Sequence, residues 1–241
     1  MGFQEASVGL GGYMCNNRFY FKGIPLIKFQ SRDKIESLQN GLLYAKSLSY
    51  YNELEETGDN QVGDSYEGEL HIANGAIFDN MGNKVCDLTN IKLKNPFSSN
   101  PVFCMYCAPK GISTLSFTEV QKDKFKNFGD TALVIFNNKE FERRVRIAAE
   151  RDNIKMVFQR VQYYDPKYND YHLLMSIQKK LYNIVFWKRD IYKYQQEARM
   201  LFITDSNVKD HIKLDIGSIK DISLVIDTKE LLENSYILIG S

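Results

Sequence analysis

The chain has 241 residues, of which 44% are hydrophobic and 25% are charged, and its formal net charge is +1. These proportions are ordinary for a globular protein, and so small a charge provides no overall field to attract nucleic acid, a membrane surface or an acidic partner. The sequence shows neither an apolar run of transmembrane length nor the charged and apolar regions of a signal peptide. We therefore expect a cytoplasmic protein with reduced thiols.

The unusual feature of the composition is its aromatic content, with 15 Tyr and 15 Phe against a single Trp. These rings can fill a core or stack on a planar ligand, and their number alone does not distinguish between these two roles. The four cysteines include Cys104-x-x-Cys107, but Cys15 and Cys86 are far apart and do not form a second such pair. Because residues three apart on a strand face opposite ways, we interpret the pair as structural and expect neither metal binding nor redox chemistry from it.

In the N-terminal third, residues 1–23 are rich in Gly and Asn, and we expect an extended lead-in there. The pattern then predicts a strand, a capped helix and a second strand, at Leu26–Gln30, at Arg32–Asn40 between Ser31 and Gly41, and at Leu42–Lys46. A polar, acidic stretch follows at 53–66, but Gln61 and Gly63 occupy positions where an EF-hand loop needs oxygen ligands. We predict a surface loop, and a lid over a site is one role open to it.

The rest of the chain is predicted to contain more strands than helices. Strands are expected at Glu67–Ile72, Lys84–Leu88, Val102–Cys107, Thr114–Phe117, Thr131–Phe136, Met156–Tyr163, Ile212–Leu214, Ile222–Ile226 and Tyr236–Ile239, and helices at Glu140–Glu150, Tyr171–Tyr182 and Lys229–Glu233. Asn138 is expected to cap the first of these helices, with Phe141, Val145 and Ala148 as its apolar stripe. Because most strands follow one another directly, we predict an α+β fold in a single domain of residues 1–241.

The stretch 195–203 gives the best functional clue. If it is a strand, Gln195, Glu197 and Arg199 share one face, and both faces beyond Arg199 are apolar. A carboxylate would then lie at the mouth of a core, where burial is costly unless the charge is paired, and Arg199 is the expected partner. The alternative is a helix in which Lys193 and Glu197 form a solvated i,i+4 pair.

Three pieces of sequence carry a resemblance. They are the segment from Lys28 through Asn40-Gly41 and Tyr44 to Ser47, the central strand Val102–Tyr106, and the run from Lys188 to Glu197-Ala-Arg199. Together they resemble a broad family of uncharacterised bacterial and phage proteins, a domain of unknown function, whose layout in turn looks like the ADP-ribosyltransferase fold. The resemblance implies a mixed, mostly antiparallel split β-sheet with flanking helices.

The resemblance also implies a cleft that binds NAD as a substrate, without a metal. Lys28, with Phe29 beside it, would contact a phosphate or ribose, while Tyr44 and Ser47 would hold the nicotinamide half. Tyr106 and Arg199 complete the expected cofactor-binding set. Glu197 would hydrogen-bond the nicotinamide ribose and stabilise an oxocarbenium-like transition state, and Gln195 would orient the acceptor.

Three functions remain open from the sequence. The first is an ADP-ribosyltransferase-like enzyme of phage–bacteria conflict that transfers ADP-ribose from NAD to a macromolecular acceptor, and the second is a non-catalytic module that binds a nucleotide or a protein on the same fold. In the second case Glu197 and Arg199 would form a structural ion pair. The third is a magnesium nuclease using Glu53, Asp59, Asp64 and Glu67, although basic residues are scattered among acidic ones and do not indicate a nucleic-acid groove.

Overall fold

The computed structural model describes residues 6–8, 12–15, 18–51, 66–204 and 211–239. The strands are β1 (Ala6–Val8), β2 (Gly12–Cys15), β3 (Arg18–Lys22), β4 (Leu26–Gln30), β5 (Leu42–Ser47), β6 (Glu69–Phe78), β7 (Lys84–Lys94), β8 (Pro101–Cys107), β9 (Thr114–Leu115), β10 (Thr131–Ile135), β11 (Lys155–Arg160), β12 (Gln162–Tyr164), β13 (Trp187–Arg189), β14 (Glu197–Ile203), β15 (His211–Asp215), β16 (Ser223–Asp227) and β17 (Tyr236–Ile239). The helices are α1 (Arg32–Gln39), α2 (described part 48–51), α3 (Glu119–Phe125), α4 (Asn138–Arg151), α5 (Tyr171–Lys179) and α6 (Thr228–Glu233). Short 3-10 helices lie at Pro96–Ser99, Leu181–Phe186, Asp190–Gln195 and Lys220–Ile222.

A central sheet of eight strands organises the molecule, in the order β11-β14-β8-β4-β10-β16, with β5 joining β8 and β15 joining β5. A second sheet has the order β1-β2-β3-β17-β9, and two ribbons are formed by β12–β13 and β6–β7. All of these pairings are antiparallel except β3–β17 and β12–β13. The predicted α+β class with mostly antiparallel strands is therefore confirmed.

The central sheet has a gap along one edge of β8. This edge pairs with β4 only at Tyr106 and Cys107 and with β5 only at Pro101 and Val102. Among the described strands, none pairs with residues 103–105 on this edge, because β4 and β5 diverge around α1. Main-chain groups of residues 103–105 on this edge can consequently form hydrogen bonds with side chains.

The two faces of the central sheet differ in their covering. Directly opposed residues of antiparallel strands point to the same face, so the pairs Glu197–Tyr106 and Arg199–Cys104 place these four side chains together. The opposite face carries Phe103, whose ring centroid is 6.4 Å from that of Phe141 on α4. Helix α4 thus covers one face of the central sheet, and the side chains of Glu197 and Arg199 lie on the opposite face.

Several predicted elements are confirmed with small changes in their ends. Strand β4 and the helix after it occur where expected, and Gly41 follows that helix with φ +112°. The apolar stripe Phe141, Val145 and Ala148 is buried. Helix α4 begins at Asn138, however, and the capping side chain is that of Asn137, whose Oδ1 accepts from the N–H of Glu140 at 3.2 Å.

Other predictions need correction. The described residues of the expected lead-in at 1–23 form three strands, of which β3 pairs with β17. The helix expected at 171–182 ends at Lys179 because the chain turns there into a 3-10 helix. Helix α3 was not predicted. The stretch 53–65 of the expected surface loop lies outside the described residues.

The strand expected from Gln195 begins only at Glu197. Gln195 ends a 3-10 helix, and Gln196 has a left-handed backbone with φ 41°. The alternation of a single strand therefore does not extend to Gln195.

Within the described ranges, no helix is long and apolar enough to cross a membrane.

Candidate functional site

A cavity of about 490 Å³ lies on the face of the central sheet opposite α4. Its walls come from β4, β5, β8 and β14, from the helices α1, α2 and α3, and from Lys188 of β13. Pockets of this volume are typical for small-molecule ligands. Seven of the predicted site residues line it, namely Lys28, Phe29, Tyr44, Tyr106, Gln195, Glu197 and Arg199.

Ser47 is the predicted site residue that does not line the cavity. Its hydroxyl is 2.9 Å from the hydroxyl of Ser49, and its side chain is only 1% exposed. The hydroxyl accepts from the N–H of Tyr50 at 3.4 Å. Ser47 therefore connects the end of β5 to α2, and it does not reach a ligand in this arrangement.

Arg199 is the centre of a buried ion network at the floor of the cavity. Its Nε is 2.5 Å from Glu197 Oε1 and its Nη2 is 3.0 Å from Glu197 Oε2, so the pair is bidentate. Nη2 also donates to Glu67 Oε1 at 2.6 Å, and Nη1 donates to the carbonyl of Val185 at 2.7 Å. At 1% exposure, Arg199 is held by partners on every side of its planar guanidinium.

Lys188 is the second cation of this network. Its Nζ is 2.5 Å from Glu67 Oε1 and 3.5 Å from Glu197 Oε2. Two cations and two carboxylates thus give the network no net charge. Burial alone would raise the pKa of Glu197, but Arg199 and Lys188 outweigh it and lower that pKa to about 2.

The sequence prediction of a paired carboxylate is confirmed, but it included only half of the network. The sequence predicts Glu67 in a strand and, in the nuclease hypothesis, as a magnesium ligand. In the structure its carboxylate instead forms ion pairs with Lys188 and Arg199. No local pattern connects Glu67 with residues more than a hundred positions away. Glu53, Asp59 and Asp64 lie outside the described residues, and within the described part no group of three or more His, Cys, Asp or Glu residues is arranged to hold a metal ion.

Lys28 reaches into the gap of the central sheet. Its Nζ donates to the carbonyl of Cys104 at 2.8 Å and lies 4.8 Å from the ring centroid of Phe103. Burial lowers the pKa of Lys28, and the negative charge of Glu197 opposes this only in part. The predicted cofactor-binding lysine therefore does line the cavity, with a main-chain carbonyl as its hydrogen-bond partner.

The predicted aromatic residues differ in their accessibility. Phe29 and Tyr106 are 7% and 5% exposed and pack against Phe125 and Phe117, with Phe29 stacked on Phe125 at 4.9 Å. Tyr44 is 42% exposed, although its ring is 5.4 Å from that of His211. A planar ligand could therefore stack on the accessible ring of Tyr44, whereas Phe29 and Tyr106 form a fixed apolar wall.

Two further lysines, which the sequence did not single out, lie among the lining residues. Lys34 comes from α1, and the Nζ of Lys46 lies 3.2 Å over the ring centroid of Tyr50. With Lys28, Lys188 and Arg199 they make five basic residues in the lining, against the two carboxylates of the network. The cavity is therefore positively charged, although the whole chain is nearly neutral.

The cysteines near the cavity do not provide a nucleophile. Burial raises the pKa of both Cys104 and Cys107, so their thiols stay protonated at neutral pH. Cys104 instead contributes its carbonyl to Lys28, as described above.

No family model, curated protein or solved structure matches the chain. The resemblance to an ADP-ribosyltransferase fold stays a prediction, and the chemistry of the site has to be argued from its own residues.

Proposed function

We propose that the cavity binds a nucleotide, and that NAD is the nucleotide to test first. One observation carries this proposal, namely a cavity of about 490 Å³ that combines aromatic walls with lysines that have no ion-pair partner among the described residues. A nucleotide presents the matching groups, since its phosphates are anionic and its base is planar and aromatic.

The lysines that an anionic ligand can contact in the cavity are Lys28, Lys34 and Lys46, and Lys34 and Lys46 supply the positive charge. Among the described residues, none of the three has a carboxylate within ion-pair distance, whereas Lys188 and Arg199 are matched by Glu67 and Glu197. An anionic ligand would therefore gain attraction without first breaking an ion pair. Phosphate binding by lysine and arginine is a charge-assisted interaction that is stronger than a neutral hydrogen bond.

Aromatic side chains supply the second half of the argument. Tyr44 offers an exposed ring, while Phe29, Phe125 and Tyr106 form a buried cluster along the cavity wall. A nucleobase or nicotinamide ring stacked on such a surface is stabilised by dispersion and by apolar burial.

Binding is tested by calorimetric titration and by thermal melting with NAD, ADP and inorganic phosphate. NAD and ADP should raise the melting temperature, because a ligand that binds only the folded state stabilises it. Lys34→Gln and Lys46→Gln should each weaken binding by about threefold to tenfold. Arg32→Gln is the matched control, because Arg32 lies on the same helix as Lys34 but does not line the cavity.

The proposal fails if neither NAD nor ADP changes the melting temperature. It also fails if Arg32→Gln weakens binding as much as Lys34→Gln does, because attraction would then come from general surface charge.

A second candidate, ADP-ribosyl transfer from NAD to a macromolecular acceptor, is favoured by the position of Glu197. This carboxylate lines the cavity, is fixed by Arg199 and has a pKa of about 2, so it is ionised at neutral pH. A fixed carboxylate can stabilise the positive charge that develops on a ribose when nicotinamide departs. Gln195, which also lines the cavity, would orient the acceptor.

Incubation of the protein with NAD and a cell lysate tests this candidate through nicotinamide release and label transfer. Glu197→Gln should abolish turnover, and its melting temperature and NAD affinity show whether the variant still folds and binds. If the wild-type protein releases no nicotinamide but binds NAD, the transfer candidate fails and the binding proposal stands.

A further inference from the structure

The side chain of Lys28 occupies an unusual position for a lysine. It lines the cavity within the gap between β4 and β5, where its Nζ contacts the carbonyl of Cys104 and the ring of Phe103. Among the described residues, no carboxylate forms an ion pair with it. Partly buried ammonium groups are ordinarily matched by a carboxylate, because the charged form is costly away from water.

We propose that Lys28 is a carbonyl-reactive amine, which forms an imine with a phosphorylated aldehyde or ketone bound in the cavity. The proposal depends on the cavity and its charges. It does not depend on nucleotide binding or on ADP-ribosyl transfer.

The surroundings of Lys28 favour the neutral amine that this chemistry requires. Burial lowers the pKa of Lys28 most, and Lys34 lowers it further, while Glu197 raises it. The other charges at the cavity floor are the ion pairs that Lys188 and Arg199 form with the two glutamates. Only the neutral amine has a lone pair, so a lowered pKa activates a lysine for attack on a carbonyl.

The reaction balances with the carbonyl compound as its only co-reactant. The Nζ lone pair forms a bond to the carbonyl carbon, the carbonyl π electrons move to the oxygen, and one proton passes from Nζ to that oxygen. The carbinolamine then loses its hydroxyl group together with the second Nζ proton as water, and a C=N bond replaces the C=O bond. No oxidant or reductant is needed.

A phosphate on the carbonyl compound is expected because two further lysines of the cavity have no ion-pair partner among the described residues. Lys34 and Lys46 line the same cavity and can bind a phosphate while Lys28 reacts. Pyridoxal 5′-phosphate is a suitable probe, because it combines an aldehyde, a phosphate and an aromatic ring.

The experiment incubates the native protein briefly with pyridoxal 5′-phosphate, reduces the imine with borohydride and maps the modified lysines by peptide mass spectrometry. Lys28 should be modified faster than Lys213 at pH 7, because its lowered pKa leaves a larger fraction of the amine neutral. Lys213 is the internal control, because it is exposed on β15 opposite Tyr44. The rate at Lys28 should also level off at a pH below the ordinary lysine value of 10.5.

Two variants complete the test. Lys28→Arg should remove the fast phase of modification, whereas Lys213→Arg should leave it unchanged, and circular dichroism checks that both fold. Modification of Lys28 at the same rate as Lys213, or only after denaturation, would overturn the proposal even without any variant. NAD binding, measured separately, has no bearing on either outcome.

Discussion

Arg199 contacts both carboxylates at the floor of the cavity, and it is 1% exposed. Such a buried network adds little to the free energy of unfolding, because the attraction between its charges only offsets the cost of removing them from water. Removal of one member is a different matter, since it leaves the opposite charge buried without a partner.

Arg199→Ala should therefore destabilise the fold by about 3–5 kcal/mol, because Glu197 and Glu67 would lose their shared cation. Urea unfolding followed by fluorescence of Trp187 measures the change. Arg143→Ala serves as the comparison, since Arg143 is exposed and pairs with Glu140 on the surface of α4, and its unfolding curve should hardly move. Similar unfolding curves for the two variants would contradict the role assigned to the network.

Glu197 gives a prediction for pH dependence. Its pKa in the folded protein is lowered to about 2, from an ordinary value of 4.5. A carboxyl whose pKa is lowered by folding contributes stability above the ordinary value, and this is lost as the pH falls through the folded value. We expect its contribution to be intact above pH 5 and to decline between about pH 4.5 and 2.

Urea unfolding between pH 7 and pH 2.5 measures this decline. Glu197→Gln should be less stable at pH 7 and should lose less stability on acidification than the wild type. Parallel pH profiles for the two proteins would show that the titration of Glu197 does not contribute.

Among the elements, the segment between α3 and β10 contains a glycine that passes close to the end of β4. Gly129 has φ +150°, and a Cβ added there would lie 2.2 Å from the carbonyl carbon of Gln30. Neither the backbone angle nor the contact suits another residue, because the neighbouring atoms belong to the main chain and cannot rotate away. Only glycine allows β10 to start directly beside the end of β4.

Gly129→Ala should destabilise the protein by about 2–3 kcal/mol or more, since it combines steric overlap with an unfavourable φ. Gly111→Ala is a matched control, because Gly111 has φ +79° but open space around its Cβ position. Thermal melting of both variants separates the cost of the backbone angle from the cost of the overlap. An equal shift in both would show that the contact with Gln30 relaxes.

Helix α3 is an element that the sequence analysis does not predict, although its first residues contain a helix-start signal. The side chain of Thr118 accepts from the N–H of Gln121, and the side chain of Gln121 accepts from the N–H of Thr118. This capping box is visible in the sequence as Thr-x-x-Gln, which is a known signal for the start of a helix. The helix matters for the site because Phe125, at its end, stacks on Phe29.

At the scale of the whole molecule, the two large sheets share one hydrophobic core. Phe21 and Leu238 from the sheet of β3 and β17 belong to the same buried cluster as Phe29 and Met105 of the central sheet. Side chains that pack in one cluster lose their contacts together when the chain unfolds, which favours a cooperative transition.

We therefore expect a single thermal transition, with calorimetric and van't Hoff enthalpies that agree. Phe21→Ala should shift this whole transition to lower temperature, because it removes a large buried ring that lies 5.7 Å from the ring of Tyr236. Two separate transitions, of which only one responds to Phe21→Ala, would contradict the single domain predicted from the sequence.

Short-range patterns in the sequence were sufficient to predict most local elements and one charge pair. Period-two and period-3.6 patterns are set by residues close in the chain, so β4, the stripe of α4 and the buried strand β14 could be predicted. The Glu197–Arg199 pair was also accessible, because two residues on one strand share a face.

The assembly of the site depends on long-range contacts that these short-range patterns do not predict. Glu67 joins the network from a distant part of the chain and Lys188 joins it from β13, while Lys28 enters the gap where β4 and β5 diverge along β8. Gln195 lines the cavity from a 3-10 helix, and the left-handed Gln196 separates it from the strand. Contacts between residues far apart in sequence depend on strand order and register, and the local spacing of residue types contains no information about either.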